Sequence, residues 1–280
     1  MPSTSRAVCR SPAPPPSEPT PRKTHAMNDT APTPLAGRTA LITGGSGGIG
    51  TAIALRLADA GTRIALAYGH HGQEAEETAT RINTLHGPGR AVTLQADLSQ
   101  ATAATGLVER ASHDLGPVDL LIAGAGIGKR LAWTDINVDT WDATMAVNVR
   151  APFLMTQAVL PGMVERGWGR ILFISSIAAL NGGIMGPHYA ASKAALHGLT
   201  HSLAAGVADA GVTVNSLAPA LIGGTRILPG DAGEGGRLPA PIPVGRLGTP
   251  DEVAAMATSM VTNGYLTNKV ITLDGGLYPH

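Results

Sequence analysis

Cysteine is all but missing from this chain of 280 residues: Cys9 stands alone. One thiol closes no disulfide within the chain and builds no cysteine metal cluster, which fits a reducing, cytoplasmic setting. No apolar run approaches the ~20 residues that cross a bilayer, and no secretory apolar region is found, so no membrane association is expected. Charged residues are sparse, at 14%, and the 20 basic and 20 acidic side chains cancel. Without a basic run in the body of the chain, a nucleic-acid surface is not indicated. Aromatic residues reach only 3%, so any binding pocket is expected to have an aliphatic lining.

What is plentiful is small and apolar. Glycine supplies 36 residues and the hydrophobic fraction is 44%, a composition suited to a compact, well-buried α/β domain. Residues 1–34 differ. The run Ser11-Pro12-Ala13-Pro14-Pro15-Pro16, with Pro19, Pro21, Pro32 and Pro34, removes backbone donors and blocks helix. Its basic, Ser- and Pro-rich character loosely resembles a transit peptide, but so much proline spoils the amphipathic helix of such a signal. A disordered Pro-rich N-terminal extension is expected, or an upstream extension of a protein that starts at Met27. Neither should carry catalysis.

Residues 35–280 read as one domain. Strands are predicted at Thr39–Thr43, Arg63–Tyr68, Ala91–Gln95, Val118–Ala123, Arg170–Ser175, Val212–Leu217 and Lys269–Leu273. Several are nearly continuous apolar runs, such as Ile171-Leu172-Phe173-Ile174, as in a parallel sheet covered on both faces. Helical patterns separate them at Ile49–Ala60, Gly72–Leu85, Thr102–Leu115, Thr140–Glu165, His188–Ala210 and Pro250–Thr262. The alternation predicts an α/β fold: a single doubly wound parallel sheet of Rossmann type, with right-handed crossovers and helices on both faces. The Gly/Pro-rich stretch from Pro219 to Gly248 is long for a compact domain and reads as a lid or binding loop.

Two local patterns carry chemistry. Thr43-Gly44-Gly45-Ser46-Gly47-Gly48-Ile49-Gly50 follows the first strand and opens the first helix. Glycines there let the backbone turn tightly against a pyrophosphate, and the helix N-terminus supplies donors and the positive end of its dipole. No Gly-Lys-Ser/Thr follows, so it is not a P-loop. The second pattern is His188-Tyr189-Ala190-Ala191-Ser192-Lys193. A phenol is a poor acid or base near neutrality. A lysine one helical turn later shares its face, and its charge is expected to draw the phenol toward a working pKa. Ser176, from another element, is placed to hydrogen-bond the oxygen that gains or loses the proton.

Weaker signals accompany these. Asp97, in Ala96-Asp97-Leu98-Ser99, is placed to accept from an adenine amine, to cap the helix that follows, or both. Asn148 is polar within an apolar helical pattern, and points to local backbone bonding or to a site for an ordered water. His197 and His201 have a metal-ligand spacing, but Gly198 stands where a zincin carries Glu. A structural role for that helix is the stronger reading, and no metal is expected.

Together these motifs resemble the short-chain dehydrogenase/reductase family from about Leu35 to the C-terminus, and within it the 3-oxoacyl-carrier-protein reductase group. The residues that carry the resemblance are Thr43-Gly44 with Gly48 and Gly50, Asn148, Ser176, Tyr189 with Lys193, and Asn215. Two longer stretches join them, Gly245-Arg246-Leu247-Gly248-Thr249-Pro250-Asp251-Glu252-Val253 and Leu273-Asp274-Gly275-Gly276. The resemblance implies that Tyr189 is the general acid in reduction and the base in oxidation. It implies that Lys193 lowers the phenol's pKa and bonds the nicotinamide ribose, that Ser176 polarises the substrate oxygen, and that Asn148 holds a relay water. Dinucleotide contacts are implied for Gly44, Ser46, Gly47, Gly48, Ile49 and Gly50, for Tyr68, His70, Asp97 and Leu98, for Ala123 and Gly124, and for Tyr189, Lys193, Pro219, Ala220 and Ile222. The substrate, a small carbonyl or alcohol, should meet Ser176, Leu180, Met185, His188 and Leu221. A homotetramer or homodimer is also implied, built through the helices holding Asn148 and Tyr189 and the last strand.

The chain departs from the family pattern at three points. Ala123-Gly124-Ala125-Gly126 replaces Asn-Asn-Ala-Gly, Pro219-Ala220 replaces Pro-Gly, and Gly224 stands where a threonine is usual, with Thr225 one position late. For the cofactor, an NAD-type site places an acid about 20 residues after the glycine motif. Here the second strand ends Ala67-Tyr68-Gly69-His70-His71, with no acid before Glu74. That favours NADP(H) over NAD(H), although Gly47 stands where many NADP-using relatives carry a basic residue. Two rival readings keep the fold: a non-catalytic NAD(P)-binding regulator or scaffold, and an epimerase or dehydratase using the cofactor transiently. The intact Ser176, Tyr189 and Lys193 argue against the first, and the lack of a separate substrate domain against the second.

Overall fold

Among the described residues, seven parallel strands make one sheet: β1 (Thr39–Thr43), β2 (Arg63–Tyr68), β3 (Ala91–Gln95), β4 (Leu120–Ala123), β5 (Gly169–Ile174), β6 (Val212–Pro219) and β7 (Lys269–Leu273). Their order is β3-β2-β1-β4-β5-β6-β7. The structure is a computed structural model describing residues 35–228 and 238–279. The Pro-rich N-terminal extension with Cys9, and residues 229–237 of the expected lid, lie outside the described residues.

Side-chain alternation along the strands builds two cores. Ala40 and Ile42 of β1, with Leu172 and Ile174 of β5, pack into a cluster with Ile53 and Leu57 of α1 (Gly48–Asp59). That cluster also takes Ile82 of α2 (Gly72–His86) and Val253 of α8 (Pro250–Thr262). The intervening Leu41, Ile171 and Phe173 point the other way. They meet Leu107 of α3 (Ala101–Leu115), Met155 of α5 (Ala151–Glu165) and Leu196 of α7 (Pro187–Val207). All five residues of β1 and all six of β5 are buried, as continuous apolar runs require.

The predicted Thr140–Glu165 helix is interrupted. It consists of α4 (Val138–Met145), one π-helical turn at Ala146–Arg150, and α5. A short α6 (Ala178–Asn181) lies between β5 and α7. β4 begins at Leu120, two residues later than expected, and β6 runs on to Pro219. The start of α8 has a full capping box: the Thr249 hydroxyl accepts from Glu252 N at 3.2 Å, and the Glu252 carboxylate accepts from Thr249 N at 2.9 Å. Asn215 ties β6 to the turn before β7, donating to Leu266 O at 2.7 Å and accepting from Lys269 N at 3.1 Å.

The strand order places the site. From β1 the chain steps outward to β2 and β3, then crosses back to β4 on the other side of β1. This reversal opens a crevice at the carboxyl ends of β1 and β4, where doubly wound sheets bind ligands.

Candidate active site

The glycine turn joins β1 to α1 at that crevice. Gly44 adopts φ 74°, and a Cβ added at Gly50 would lie 2.2 Å from Gly44 O, so only glycine allows the turn to fold this closely on the helix. The first helical bond runs from Thr51 N to Gly47 O at 2.9 Å. The amides of Gly48, Ile49 and Gly50 are thus the first-turn donors, aimed where an anion would sit. A dinucleotide pyrophosphate fits this cradle, with Gly44 to Gly50 as its holders.

Three further side chains line the crevice, and a fourth, Asn148, is buried behind Gly126 of its wall. Ser176 follows β5, Tyr189 and Lys193 share a face of α7, and Asn148 occupies the π turn. The Asn148 side chain is fully buried; its Oδ1 accepts from Ile127 N at 2.8 Å, and its Nδ2 donates to Ile127 O at 2.9 Å and to Ser192 Oγ at 3.0 Å. It therefore pins the loop after β4 to α7, with partners distant in sequence rather than the local backbone. That loop runs close to the phenol: a Cβ at Gly128 would lie 2.7 Å from the Tyr189 ring.

Lys193 is buried, and its Nζ donates to Ile174 O at 2.9 Å and lies 5.7 Å from the centroid of the Tyr189 ring. Burial lowers its pKa to about 8. The same burial raises the Tyr189 phenol to about 12, exceeding the opposite pull of its hydrogen bond with Ser176. Desolvation is the largest cause, so the net shift of the phenol is upward and not the lowering expected of the Tyr189–Lys193 pair.

A cavity of about 300 Å³ unites these parts. Its wall includes Ile49 and Gly50 from the glycine turn, Gly124 after β4, Ser176, Met185, Tyr189 and Lys193, and then Pro219, Ala220, Leu221 and Ile222 after β6. Gly44, Ser46, Gly47 and Gly48 form the turn beside it, and Ala123 ends β4. Tyr68 and His70 stand at the end of β2. Asp97 and Leu98 follow β3, where the Asp97 carboxylate accepts from Ser99 N at 3.0 Å instead of capping α3. Two expected pocket residues are placed elsewhere. Leu180, on the outer side of α6, does not line the cavity and Asn181 does. His188 is fully buried away from it, and neither ring nitrogen has a hydrogen-bond partner among the described residues. The first turn of α7 presents Tyr189, not its neighbour, to the crevice.

A family model described as short chain dehydrogenase matches residues 38–230. The chain belongs to the short-chain dehydrogenase family. The acetoacetyl-CoA reductase of Cupriavidus necator is 34% identical over 243 residues, covering 86% of this chain and 98% of that protein. The 3-oxoacyl-(acyl-carrier-protein) reductase FabG of Aquifex aeolicus is 32% identical over 248 residues, covering 87% and 98%. Among solved structures, a short chain dehydrogenase from Burkholderia cenocepacia J2315 in complex with NADP matches with a TM-score of 0.78 and 34% identity, over 87% of this chain and 99% of that one. This short-chain dehydrogenase is accordingly an NAD(P)-dependent oxidoreductase acting on carbonyl and alcohol groups.

Its departures from the family pattern have local answers. Where the two amides are replaced by Ala123-Gly124, the Thr43 hydroxyl accepts from both Gly124 N and Ala125 N, each at 3.1 Å. Thr225 turns its hydroxyl back to Ile222 O at 2.9 Å. Leu221 takes φ 51°, a conformation that strains a side chain with a Cβ. Sequence reasoning missed Thr43, Asn181 and Ile184 as cavity residues. Only Thr43 had a signal, its place at the end of β1 immediately before Gly44. His197 and His201 are committed separately: His197 Nε2 lies 2.8 Å from Ser175 Oγ, and His201 Nδ1 2.6 Å from Asn268 Oδ1.

Proposed function

We propose that this enzyme is an NADPH carbonyl reductase, converting a small ketone to a secondary alcohol, with Tyr189 as the general acid. The observation that carries the reading is that Ser176, Tyr189 and Lys193 line one cavity with Ile49 and Gly50 of the glycine turn. When bound, the nicotinamide cofactor supplies the hydride. A phenol with a pKa of about 12 keeps its proton at neutral pH and gives it to an oxygen that gains charge as the carbonyl is reduced. Ser176 donates to that same oxygen, lowering the cost of its developing charge. Lys193 spends one ammonium hydrogen on Ile174 O and keeps two for the cavity side, where the cofactor ribose and the phenol oxygen would be served. Asn148 has both Nδ2 hydrogens engaged, so a relay water would be held through oxygen acceptors.

NADP(H) is supported by the end of β2, where Tyr68, Gly69 and His70 offer no carboxylate to repel a 2′-phosphate, and by the NADP complex of the Burkholderia relative. Assembly as a homotetramer or homodimer is supported by exposed apolar side chains around α4, Trp133 at 78% and Val138 at 73% exposure, and by the open edge of β7. Among the described residues no helix is long and apolar enough to cross a membrane; with the lone Cys9 this supports a cytoplasmic setting. Residues 1–34 take no part in catalysis in this reading. The test is Tyr189→Phe assayed with NADPH against a broad ketone panel. Turnover should vanish while NADPH binding, followed by its fluorescence, persists; an active variant overturns the assignment.

A further inference from the structure

Arg226, beyond β6, reaches across the crevice to α2. Its Nη2 lies 2.8 Å from Glu74 Oε1, and His71 Nδ1 lies 3.8 Å from the same oxygen. The route is set by backbone. Gly224 O comes within 2.6 Å of where a Cβ on Gly48 would stand, so the chain passes over the N-terminus of α1 before Arg226 arrives. A permanent cation is thereby delivered to the start of α2, next to the end of β2 where a dinucleotide's adenosine ribose is read. The glycine turn has Gly47, and the end of β2 has Tyr68, Gly69 and His70, so neither usual location carries a permanent positive charge.

We propose that Arg226 recognises the 2′-phosphate of NADP(H) and so determines cofactor specificity, exchanging Glu74 for the phosphate. This rests on the NADP(H) reading above. The exchange is favoured because the resting pair is 45% and 46% exposed, and exposed ion pairs are weak. A phosphate carries more charge than a carboxylate and matches the guanidinium fork. Glu74, ionised and one turn into α2, is both competitor and repulsive neighbour, so its removal should favour the phosphate.

The test is direct titration of NADPH and NADH, by cofactor fluorescence, into the full-length wild type, Arg226→Ala and Glu74→Gln. Arg226→Ala should weaken NADPH about ten- to a hundredfold and leave NADH within about twofold. Glu74→Gln should bind NADPH at least as tightly as the wild type. Equal weakening of both cofactors by Arg226→Ala overturns the proposal, since it marks a pyrophosphate contact or a merely mechanical anchor; weakened binding in Glu74→Gln points to the same anchor. A wild type preferring NADPH with Arg226→Ala unchanged sinks the Arg226 assignment and leaves the NADP(H) reading standing. A wild type preferring NADH sinks that reading itself.

Discussion

Lys193→Met should make the cofactor-free protein more stable while abolishing its activity. The lysine is buried at the centre of the site and gives one hydrogen bond, to Ile174 O. Burial brings its pKa from 10.5 to about 8. At about 1.4 kcal/mol per unit, holding the charge costs on the order of 3 kcal/mol. Methionine nearly matches the volume and carries no charge, but leaves Ile174 O without this donor, a loss of about 1 kcal/mol. The net gain is about 2 kcal/mol at neutral pH. The sign with pH follows from linkage. Below about 8 both states hold the proton and the penalty is complete. Between about 8 and 10.5 the unfolded state binds more protons, so wild-type stability rises with pH and the penalty fades. Tyr189 titrates in both proteins and largely cancels in their difference. Urea denaturation of both, followed by far-ultraviolet circular dichroism at several pH values from about 7 to about 10, should show a gain that shrinks as pH rises. A variant no more stable than wild type at neutral pH, or a gain independent of pH, refutes the reasoning.

Two further substitutions probe the neighbouring backbone. Thr43→Val keeps the side-chain shape but removes the acceptor of Ala125 N and one of the two of Gly124 N, which also donates to Ile122 O at 3.1 Å. It should cost about 1–3 kcal/mol in urea midpoint at unchanged slope; a loss below about 0.5 kcal/mol would show that solvent replaces the hydroxyl. Gly50→Ala forces a Cβ to within 2.2 Å of Gly44 O, so the turn must open. NADPH and NADH should both weaken by more than about tenfold, with the circular dichroism spectrum retained, and wild-type affinity would disprove the cradle.

The sheet was legible because each strand declares itself locally. β1, β2, β3 and β7 coincide with their predicted limits, since short β-rich runs with Gly or Asp at or just beyond their carboxyl ends leave little freedom. The π turn was not legible. Its five residues, Ala146-Val147-Asn148-Val149-Arg150, continue a helical pattern, and nothing in them shows that the Asn148 amide will bond Ile127 of the loop after β4. Leu180 and His188 illustrate a related limit. Both adjoin residues that do line the cavity, and their direction depends on how α6 and the first turn of α7 are rotated.

Composition and periodicity alone determined the class of fold, and short motifs determined the glycine turn and the pairing of Tyr189 with Lys193. These are properties of adjacent residues: strand alternation, one helical turn, a φ that only glycine takes cheaply. Tertiary structure alone decided the direction in which the phenol's pKa moves, because burial comes from elements far apart in the chain. It also decided that Thr43 would hold the backbone amides of Gly124 and Ala125 and that Arg226 would meet Glu74. Both contacts join segments that become neighbours only when the sheet reverses direction at β1.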